Sequence, residues 1–243
     1  MKQERKVAIV IQARLSSQRV PNKMLRPFGR SSLFEIALEK LYKLNVPTED
    51  IWVAVHEEEL LDVAKKFPFR IFRRTKESAN STNDPKKPDS LKLLYEWYQT
   101  LMDEGYTHVV LVSACNPLLK RETIQKFYEG FTNREIDGAF SVIKKKNYYW
   151  DGSGKAITDW QGMKLMNTRK VETIYERAHC LYGSKISFIE DECWMGDTSP
   201  PEPTLIIIPE IEAVDIDTMS DFYLARVLYK NRFKLYDEEE GAI

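Results

Sequence analysis

The sequence contains few cysteines and no long hydrophobic run. Its 3 cysteines, Cys115, Cys180 and Cys193, lie far apart and form no C-x-x-C pair. This spacing argues against a disulfide framework or a structural zinc site and favours a reducing compartment. The apolar runs Val7–Ile11 and Ile51–Val55 are too short for the core of a signal peptide or for a transmembrane helix. We therefore expect a soluble, cytoplasmic protein that has no membrane partner.

The sequence also lacks an excess of charge of either sign. Lysine and arginine number 36, aspartate and glutamate number 37, and the formal net charge is −1. General binding to nucleic acid needs a basic face, so no nucleic-acid partner is expected. With 243 residues, of which 43% are hydrophobic, the chain suits a single domain that spans residues 1–243.

Three common catalytic signatures are absent as well. The sequence has no G-x-x-x-x-G-K-[ST], which excludes a P-loop, and no G-x-G-x-x-G after a strand, so dinucleotide binding is unsupported. It has no G-x-S-x-G, the signature of many serine hydrolases. The histidines His56, His108 and His179 show no metal-ligand spacing. We expect His108 to be structural, and His179 is a candidate for contact with an acceptor substrate.

Short apolar runs alternate with amphipathic helical patterns along the chain. The runs predict strands at Val7–Ile11, Ile51–Val55, Phe69–Phe72, His108–Val112, Ala139–Val142 and Thr204–Ile208. Two further apolar runs, Leu181–Gly183 and Ile186–Ile189, are expected to return the chain to the main fold. The helical patterns predict helices at Leu33–Leu44, Glu57–Lys66, Ser90–Glu104, Arg121–Phe131 and from Met219 to about Tyr229. Residues 73–88, which are nearly free of apolar side chains, predict a mobile loop. The alternation predicts an α/β fold with a mostly parallel sheet and helices on both faces.

Residues 147–176 interrupt this alternation. The segment from Trp150 to Ile157 reads as a hairpin turn with glycines at the special positions. The large apolar residues Trp160, Met163 and Met166 follow it. Large apolar residues on a small protruding element indicate a contact between subunits, so we expect a small protruding hairpin arm. The alternative is a surface flap that folds onto its own subunit.

A polar loop follows the first strand and contains Arg14, Ser17, Arg19 and Lys23. Ligands of open α/β sheets bind outside the carboxyl ends of the strands, where this loop emerges. Backbone N–H groups flanked by cations suit a polyphosphate. The alternative is a solvated connection that happens to be basic.

A pair of carboxylates, Asp215 and Asp217, forms the second candidate site. In an extended segment both carboxylates point to the same side, while Val214 and Ile216 face the core. Two adjacent carboxylates repel each other unless a cation lies between them, and Mg²⁺ is the common solution. The alternative is an acidic strand end before a helix, in which Asp217 and Thr218 only favour the helix N-terminus. Thr218 and Asp221 fit a capping box for that helix, so we expect Asp221 to be structural. Together with the basic loop, the pair suggests a site of nucleotidyl transfer.

Three segments resemble the cytidylyltransferases that activate acidic sugars, such as acylneuraminate cytidylyltransferase (CMP-sialic acid synthetase). Ile11–Ser17, with Pro21 and Lys23, looks like the nucleotide-binding opening of that family. Ser113–Leu118 matches the loop after its fourth strand, and Val214–Thr218 is similar to its D-I-D-T-x-x-D ending. The resemblance implies a GT-A-like, Rossmann-related fold and transfer of a cytidylyl group from CTP to an acidic sugar.

The resemblance also implies roles for individual residues, which are carried over by matching position. The nucleotide would contact Ile11, Gln12, Ala13, Arg14, Ser17, Lys23, Arg74 and Ser113. Asp215 and Asp217 would hold Mg²⁺, and Arg14, Lys23 and Asp217 would be catalytic. The expected partners are CTP and a small acidic sugar. Residues 147–176 would be a homodimerisation arm that also acts as a lid over the neighbouring subunit's acceptor site.

The chain departs from the family pattern on the acceptor side. Met24 stands where many sialic-acid enzymes have Asn, and Ser113 stands where they have Gln. The cations Lys86 and Lys87 in an inserted loop therefore leave open a phosphate or phosphonate acceptor. A third interpretation is a nucleotide-binding protein without catalysis, against which the retained carboxylate pair and Arg14 argue.

Overall fold

The computed structural model describes residues 5–81, 89–134, 136–158, 167–194 and 203–240, with side chains described as far as residue 231. The strands are β1 (Val7–Gln12), β2 (Pro27–Phe28), β3 (Ser31–Ser32), β4 (Ile51–Val55), β5 (Arg70–Arg73), β6 (His108–Ser113), β7 (Gly138–Lys145), β8 (Ile174–Lys185) and β9 (Thr204–Ile207). The helices are α1 (Leu33–Tyr42), α2 (Glu58–Ala64), α3 (Lys76–Asn80), α4 (Ser90–Leu94), α5 (Tyr98–Asp103), α6 (Arg121–Thr132) and α7 (Met219–Glu240). Five residues named above, Lys86, Lys87, Trp160, Met163 and Met166, lie outside the described ranges.

The predicted sheet is confirmed. It has seven strands in the order β5-β4-β1-β6-β8-β7-β9. Strands β5, β4, β1 and β6 run parallel, β8 is antiparallel to both β6 and β7, and β7 and β9 are parallel. Because β1 lies in the middle of the sheet, its five residues from Val7 to Ile11 are buried, as an apolar run without polar alternation predicts.

Helices cover both faces of the sheet, also as predicted. Ile9 and Ile11 point toward the face that packs against α1, α2 and α6. Ala8 and Val10 point toward the opposite face, which packs against α4 and α5. Helix α7 packs through Phe222 on the short β2–β3 hairpin. None of the helices in the described residues has the length and apolar character that crossing a membrane requires.

The long helix predicted for residues 90–104 is wrong. The structure has two short helices, α4 and α5, because the chain turns at Tyr95–Trp97 to bury both aromatic rings. The Trp97 indole Nε1 donates a hydrogen bond of 2.8 Å to Gln12 Oε1 at the end of β1. The predicted loop of residues 73–88 contains helix α3, which Thr75 caps by accepting a hydrogen bond from the Ser78 N–H.

The segment 147–176 does not lie wholly outside the main sheet, because its last residues belong to β8. Strand β8 already begins at Ile174, and β7 extends to Lys145, so these two strands form a long antiparallel ribbon. The predicted turn is present, since Trp150 and Ala156 pair as an antiparallel bridge.

Candidate active site

A cleft of about 970 Å³ opens at the carboxyl ends of β1 and β6. The first loop, the ends of α3 and α4, the loop after β6, a part of β8 and the acidic segment before α7 all contribute to it. Its lining includes Gln12, Ala13, Arg14, Ser17, Arg19, Lys23, Arg74, Asn80, Tyr95, Ser113, Cys115, His179, Tyr182, Asp215 and Asp217. The parallel strands β1 and β6 are neighbours, so their loops open at the same edge of the sheet, where ligands of this fold class bind.

Neighbouring elements hold the first loop in place. Arg14 Nη1 donates to the carbonyl oxygens of Ala79 at 3.2 Å and Ser81 at 3.1 Å, at the end of α3. The Leu15 N–H donates to Glu57 Oε1 at 2.7 Å, just after β4. The loop therefore presents its cations from a backbone that is tied to two other parts of the fold.

Two cations of this loop contact the acidic segment directly. Lys23 Nζ donates a hydrogen bond of 2.7 Å to the Ile216 carbonyl oxygen. Arg19 Nη2 forms an ion pair of 2.7 Å with Asp217 Oδ1. The structure thus brings together the two regions that the sequence separates by most of the chain.

The acidic segment is held by its backbone. The Ile216 N–H donates to the Cys115 carbonyl oxygen at 3.1 Å, and Asn116 Nδ2 lies 3.3 Å from the carbonyl oxygens of Ala213 and Val214. The Ile216 side chain is fully buried, so the two flanking carboxylates point away from the core toward the cleft. These contacts join the segment to the loop after β6.

Asp215 lies in an environment that disfavours its negative charge. Burial and, to a lesser extent, the neighbouring charge of Asp217 raise its pKa against the opposing effect of Lys23, and the net result is a pKa of about 6. Its Oδ1 atom is buried and has no hydrogen-bond partner within the described residues. A buried carboxylate oxygen without a partner is costly unless a ligand or cation satisfies it.

These observations fit a divalent cation held in part by protein. No group of three or more candidate ligands occurs within the described ranges, so the carboxylate pair provides two ligands at most. Mg²⁺ characteristically binds through one or two carboxylates and completes its shell with water and substrate phosphates. Asp215 and Asp217, both on the cleft wall, match that pattern.

Arg74 is a buried cation that lines the cleft. Only 2% of its surface is exposed, and burial lowers its pKa to about 10. Its Nε donates to Ser78 Oγ at 3.0 Å, and its Nη2 donates to the Ser78 carbonyl at 2.6 Å and to the Leu94 carbonyl at 3.3 Å. Arg74 therefore braces α3 against α4, in addition to lining the cleft.

Of the other residues predicted to contact the nucleotide, all except Ile11 line the cleft. Gln12, Ala13, Ser17 and Ser113 line the cleft. The Ile11 side chain does not line the cleft, because it is fully buried in the main hydrophobic core between β1 and the helices of one face. Ile11 is therefore a residue of the hydrophobic core rather than of the cleft lining.

Sequence reasoning did not select the aromatic wall of the cleft. Tyr95 lies at the break between α4 and α5, and Tyr182 lies on β8. Burial raises the pKa of Tyr182 to about 12, so its hydroxyl is protonated at neutral pH. Tyr95 reads in the sequence as one of several aromatic residues on a helix face, and nothing in that pattern separates it from the core.

A bulge in β8 directs His179 into the cleft. Phe140 and Val142 of β7 pair with Tyr182 and Arg177 of β8, so four residues of β8 lie opposite the single residue Ser141 of β7. His179 has a φ of +47° there and shares a hydrogen bond of 3.0 Å between its Nδ1 and Tyr182 Oη. Bulges of this kind redirect side chains next to active sites.

Comparison with known proteins assigns the family. A family model described as cytidylyltransferase matches residues 8–192 of this chain. The chain therefore belongs to the cytidylyltransferase family and is an enzyme of the nucleotidyltransferase type. The family that the sequence motifs predicted is confirmed.

Two kinds of relative accompany that match. The pseudaminic acid cytidylyltransferase of Campylobacter jejuni is 22% identical over 230 residues, which cover 91% of this chain and 95% of that protein. The 3-deoxy-manno-octulosonate cytidylyltransferase of Rickettsia bellii is 27% identical over 139 residues, which cover 57% of this chain and 52% of that protein.

Solved structures confirm the fold class. A CMP:2-keto-3-deoxy-manno-octonic acid synthetase complexed with CTP superposes with a TM-score of 0.62 at 12% identity and covers 93% of this chain and 99% of that one. The 4-diphosphocytidyl-2C-methyl-D-erythritol synthase of Anaerococcus prevotii superposes with a TM-score of 0.64 at 14% identity and covers 93% and 96%. The GT-A-like, Rossmann-related architecture is thereby established.

Proposed function

We propose that this chain transfers the cytidylyl group of CTP to a hydroxyl group of an acidic sugar, giving a CMP-sugar and pyrophosphate. The observation that carries the proposal is the placement of Arg14, Lys23, Asp215 and Asp217 on one cleft at the carboxyl ends of β1 and β6. The family model supports the cytidylyl group, and the names of the Campylobacter and Rickettsia relatives support an acidic sugar.

The proposed reaction is a substitution at the α-phosphorus of CTP. The acceptor oxygen forms a bond to that phosphorus, the bond from the phosphorus to the bridging oxygen breaks, and pyrophosphate leaves with the electron pair. The acceptor hydroxyl loses its proton to the solvent in the same process. Negative charge grows on the leaving pyrophosphate, and Arg14 and Lys23 are the cations of the cleft that we assign to it.

In this proposal the remaining cleft residues bind the nucleotide and the metal and hold them in position. Gln12, Ala13, Ser17, Arg74 and Ser113 contact the nucleotide. Asp215 and Asp217 hold Mg²⁺, which supplies charge neutralisation for the triphosphate when it is bound. The transfer takes place in the cytoplasm, where CTP is made.

We also propose that the chain is a homodimer whose arm is the protruding part of residues 147–176. Trp150 and Ile157 are exposed at the turn, and Tyr175 is exposed near the start of β8. Leu205 and Ile207 on the edge strand β9 are exposed as well. Apolar surface concentrated on a projecting turn and a sheet edge supports a contact between subunits. Light scattering of the purified protein tests the dimer, and a monomer at micromolar concentration would contradict it.

The substrate assignment is tested by a matrix of nucleotides and acceptors. Each of the four nucleoside triphosphates is combined with a panel of acidic sugars, neutral sugars and sugar phosphates, and pyrophosphate release and product mass are measured. The expected result is release with CTP and an acidic sugar, and a product whose mass equals the sugar plus the CMP unit. A phosphoanhydride product, in which the CMP unit is joined to the phosphate of a phosphate acceptor, would replace this assignment. Stabilisation by CTP without pyrophosphate release from any acceptor would indicate a binding protein.

A further inference from the structure

Arg19 makes a contact that the proposed reaction does not use. Its guanidinium binds Asp217 Oδ1 at 2.7 Å, and Asp217 is one of the two carboxylates assigned to the metal. The side chains of Arg19 and Asp217 are 66% and 45% exposed, respectively. Both residues line the cleft, so the ion pair stands at the point where a triphosphate and its metal would enter.

The ion pair is not needed to hold the acidic segment. The backbone bond from Ile216 to Cys115 and the bond from Lys23 Nζ to the Ile216 carbonyl already fix that segment. Asp217 itself is further held because its N–H donates to Asp221 Oδ2 at 3.1 Å. An exposed ion pair of this kind contributes little to folding stability, so breaking it costs little.

The pair does change the electrostatics of the carboxylates. Arg19 places a positive charge 2.7 Å from Asp217 Oδ1, beside the two neighbouring carboxylates. The Arg19 guanidinium therefore reduces the repulsion between the Asp215 and Asp217 carboxylates, which a bound metal would otherwise reduce. An incoming triphosphate carries several negative charges and offers Arg19 a stronger partner than one exposed carboxylate.

We propose that Arg19 is a positioning residue that covers Asp217 in the nucleotide-free enzyme and moves to the phosphates when CTP binds. Asp217 is then free for the metal only when the nucleotide is present. The consequence is that metal and nucleotide bind together, and the free enzyme holds metal weakly. The inference rests on the proposed function, because it assigns the carboxylate pair to a metal and the cleft to CTP.

The test measures Mn²⁺ binding to the nucleotide-free protein by the electron paramagnetic resonance signal of free Mn²⁺. Four proteins are compared: the wild type, Arg19→Gln, Arg19→Lys and Arg30→Gln. Arg30 is exposed and does not line the cleft, so its substitution removes the same charge without touching Asp217. Pyrophosphate release in the presence of Mg²⁺ gives KM for CTP and kcat for the same proteins.

We expect Arg19→Gln to bind Mn²⁺ two- to fivefold more tightly than the wild type, equivalent to about 0.4–1 kcal/mol, the range of an exposed ion pair. The same variant should have a higher KM for CTP. Arg19→Lys should lie between the two, and Arg30→Gln should match the wild type. Tighter metal binding combined with weaker CTP binding separates this role from simple damage to the cleft, which would weaken both.

Two results would overturn the inference. One is Mn²⁺ affinity in Arg19→Gln equal to or weaker than that of the wild type, with an unchanged melting temperature. The other is the absence of Mn²⁺ binding in all four proteins. Failure of the proposed function looks different, because the wild type would then release no pyrophosphate with any acceptor, whatever the order of the metal affinities.

Discussion

Lys23 and Ile216 lie 193 positions apart in the chain, and Lys23 Nζ donates a hydrogen bond of 2.7 Å to the Ile216 carbonyl oxygen. This bond joins the loop after the first strand to the segment before the last helix. It places the Lys23 ammonium group between the side chains of Asp215 and Cys115, whose pKa values it lowers against the effect of burial. The cationic and acidic halves of the cleft are thus one connected structure.

Removing either proposed phosphate-binding cation should reduce turnover strongly. We expect Arg14→Ala and Lys23→Ala each to lower kcat by about a hundredfold or more, the scale measured when one preorganised electrostatic contact is removed from an active site. Pyrophosphate release at saturating CTP measures the effect. Lys65→Ala is the matched control, because Lys65 is exposed just after α2 and its side chain forms an ion pair only with Asp62 within the described residues. Near-normal rates in both cleft variants would reject the assigned roles.

Asp217→Asn tests the metal assignment by a different route. We expect a loss of turnover of about a hundredfold, since the charge that balances the metal is removed while the shape is kept. The apparent affinity for Mg²⁺ should fall as well, and a titration of activity against Mg²⁺ measures it. Asp62→Asn, an exposed substitution of the same type, should leave both quantities unchanged.

Asp215 predicts a pH dependence of stability in the metal-free protein. Its pKa is about 6 in the folded protein and 3.8 in the ordinary case, so folding favours the protonated form. The group is neutral in both states below about pH 4, and its destabilising effect develops as the pH rises to about 6 and then stays constant. In EDTA, Asp215→Asn should therefore have a higher melting temperature than the wild type above pH 6. Near pH 4 the two proteins should have similar melting temperatures. Thermal melts at several pH values measure this, and Mg²⁺ should stabilise the wild type more than the variant.

Gly183 on β8 is predicted to be intolerant of a larger residue. A Cβ atom there would lie 2.7 Å from the ring of Phe131, which is fully buried on α6. We expect Gly183→Ala to lower the free energy of unfolding by about 1–3 kcal/mol through overpacking. Gly130→Ala is the control, because nothing lies within 4 Å of its Cβ position and alanine favours the helix by about 0.5–1 kcal/mol. Urea denaturation measures both, and equal stability of the two variants would contradict the packing argument.

Thr218 and Asp221 form the capping box that the sequence predicts at the start of α7. Thr218 Oγ1 accepts from the Asp221 N–H at 3.2 Å, and Asp221 Oδ2 accepts from the Thr218 N–H at 2.7 Å. We expect Thr218→Ala to cost about 1 kcal/mol of stability and Thr218→Ser to retain most of it, because serine keeps the acceptor oxygen. Chemical denaturation of the two variants measures the difference, and an alanine variant as stable as the serine variant would reject the cap.

Local signals in the sequence were sufficient for most of the fold. The apolar runs of β1 and β4 and the capping box of α7 each depend on residues that are neighbours in the chain. The predicted helix over residues 90–104 failed because a distant partner decided its shape: Trp97 turns inward to bond Gln12 of β1. A helical pattern of apolar residues does not contain that contact.

The sequence by itself determined the mostly parallel sheet, the helices on both faces and the family, because periodicity and short motifs are local properties of the chain. It also named most of the side chains that the structure places on the cleft. Only the tertiary structure decided which of them meet. The pairing of Arg19 with Asp217, the bulge that directs His179 inward and the brace that Arg74 forms between α3 and α4 all join segments that are remote in sequence or bent out of register. Such contacts follow from how the packed elements meet in space, which the local pattern of residues does not specify.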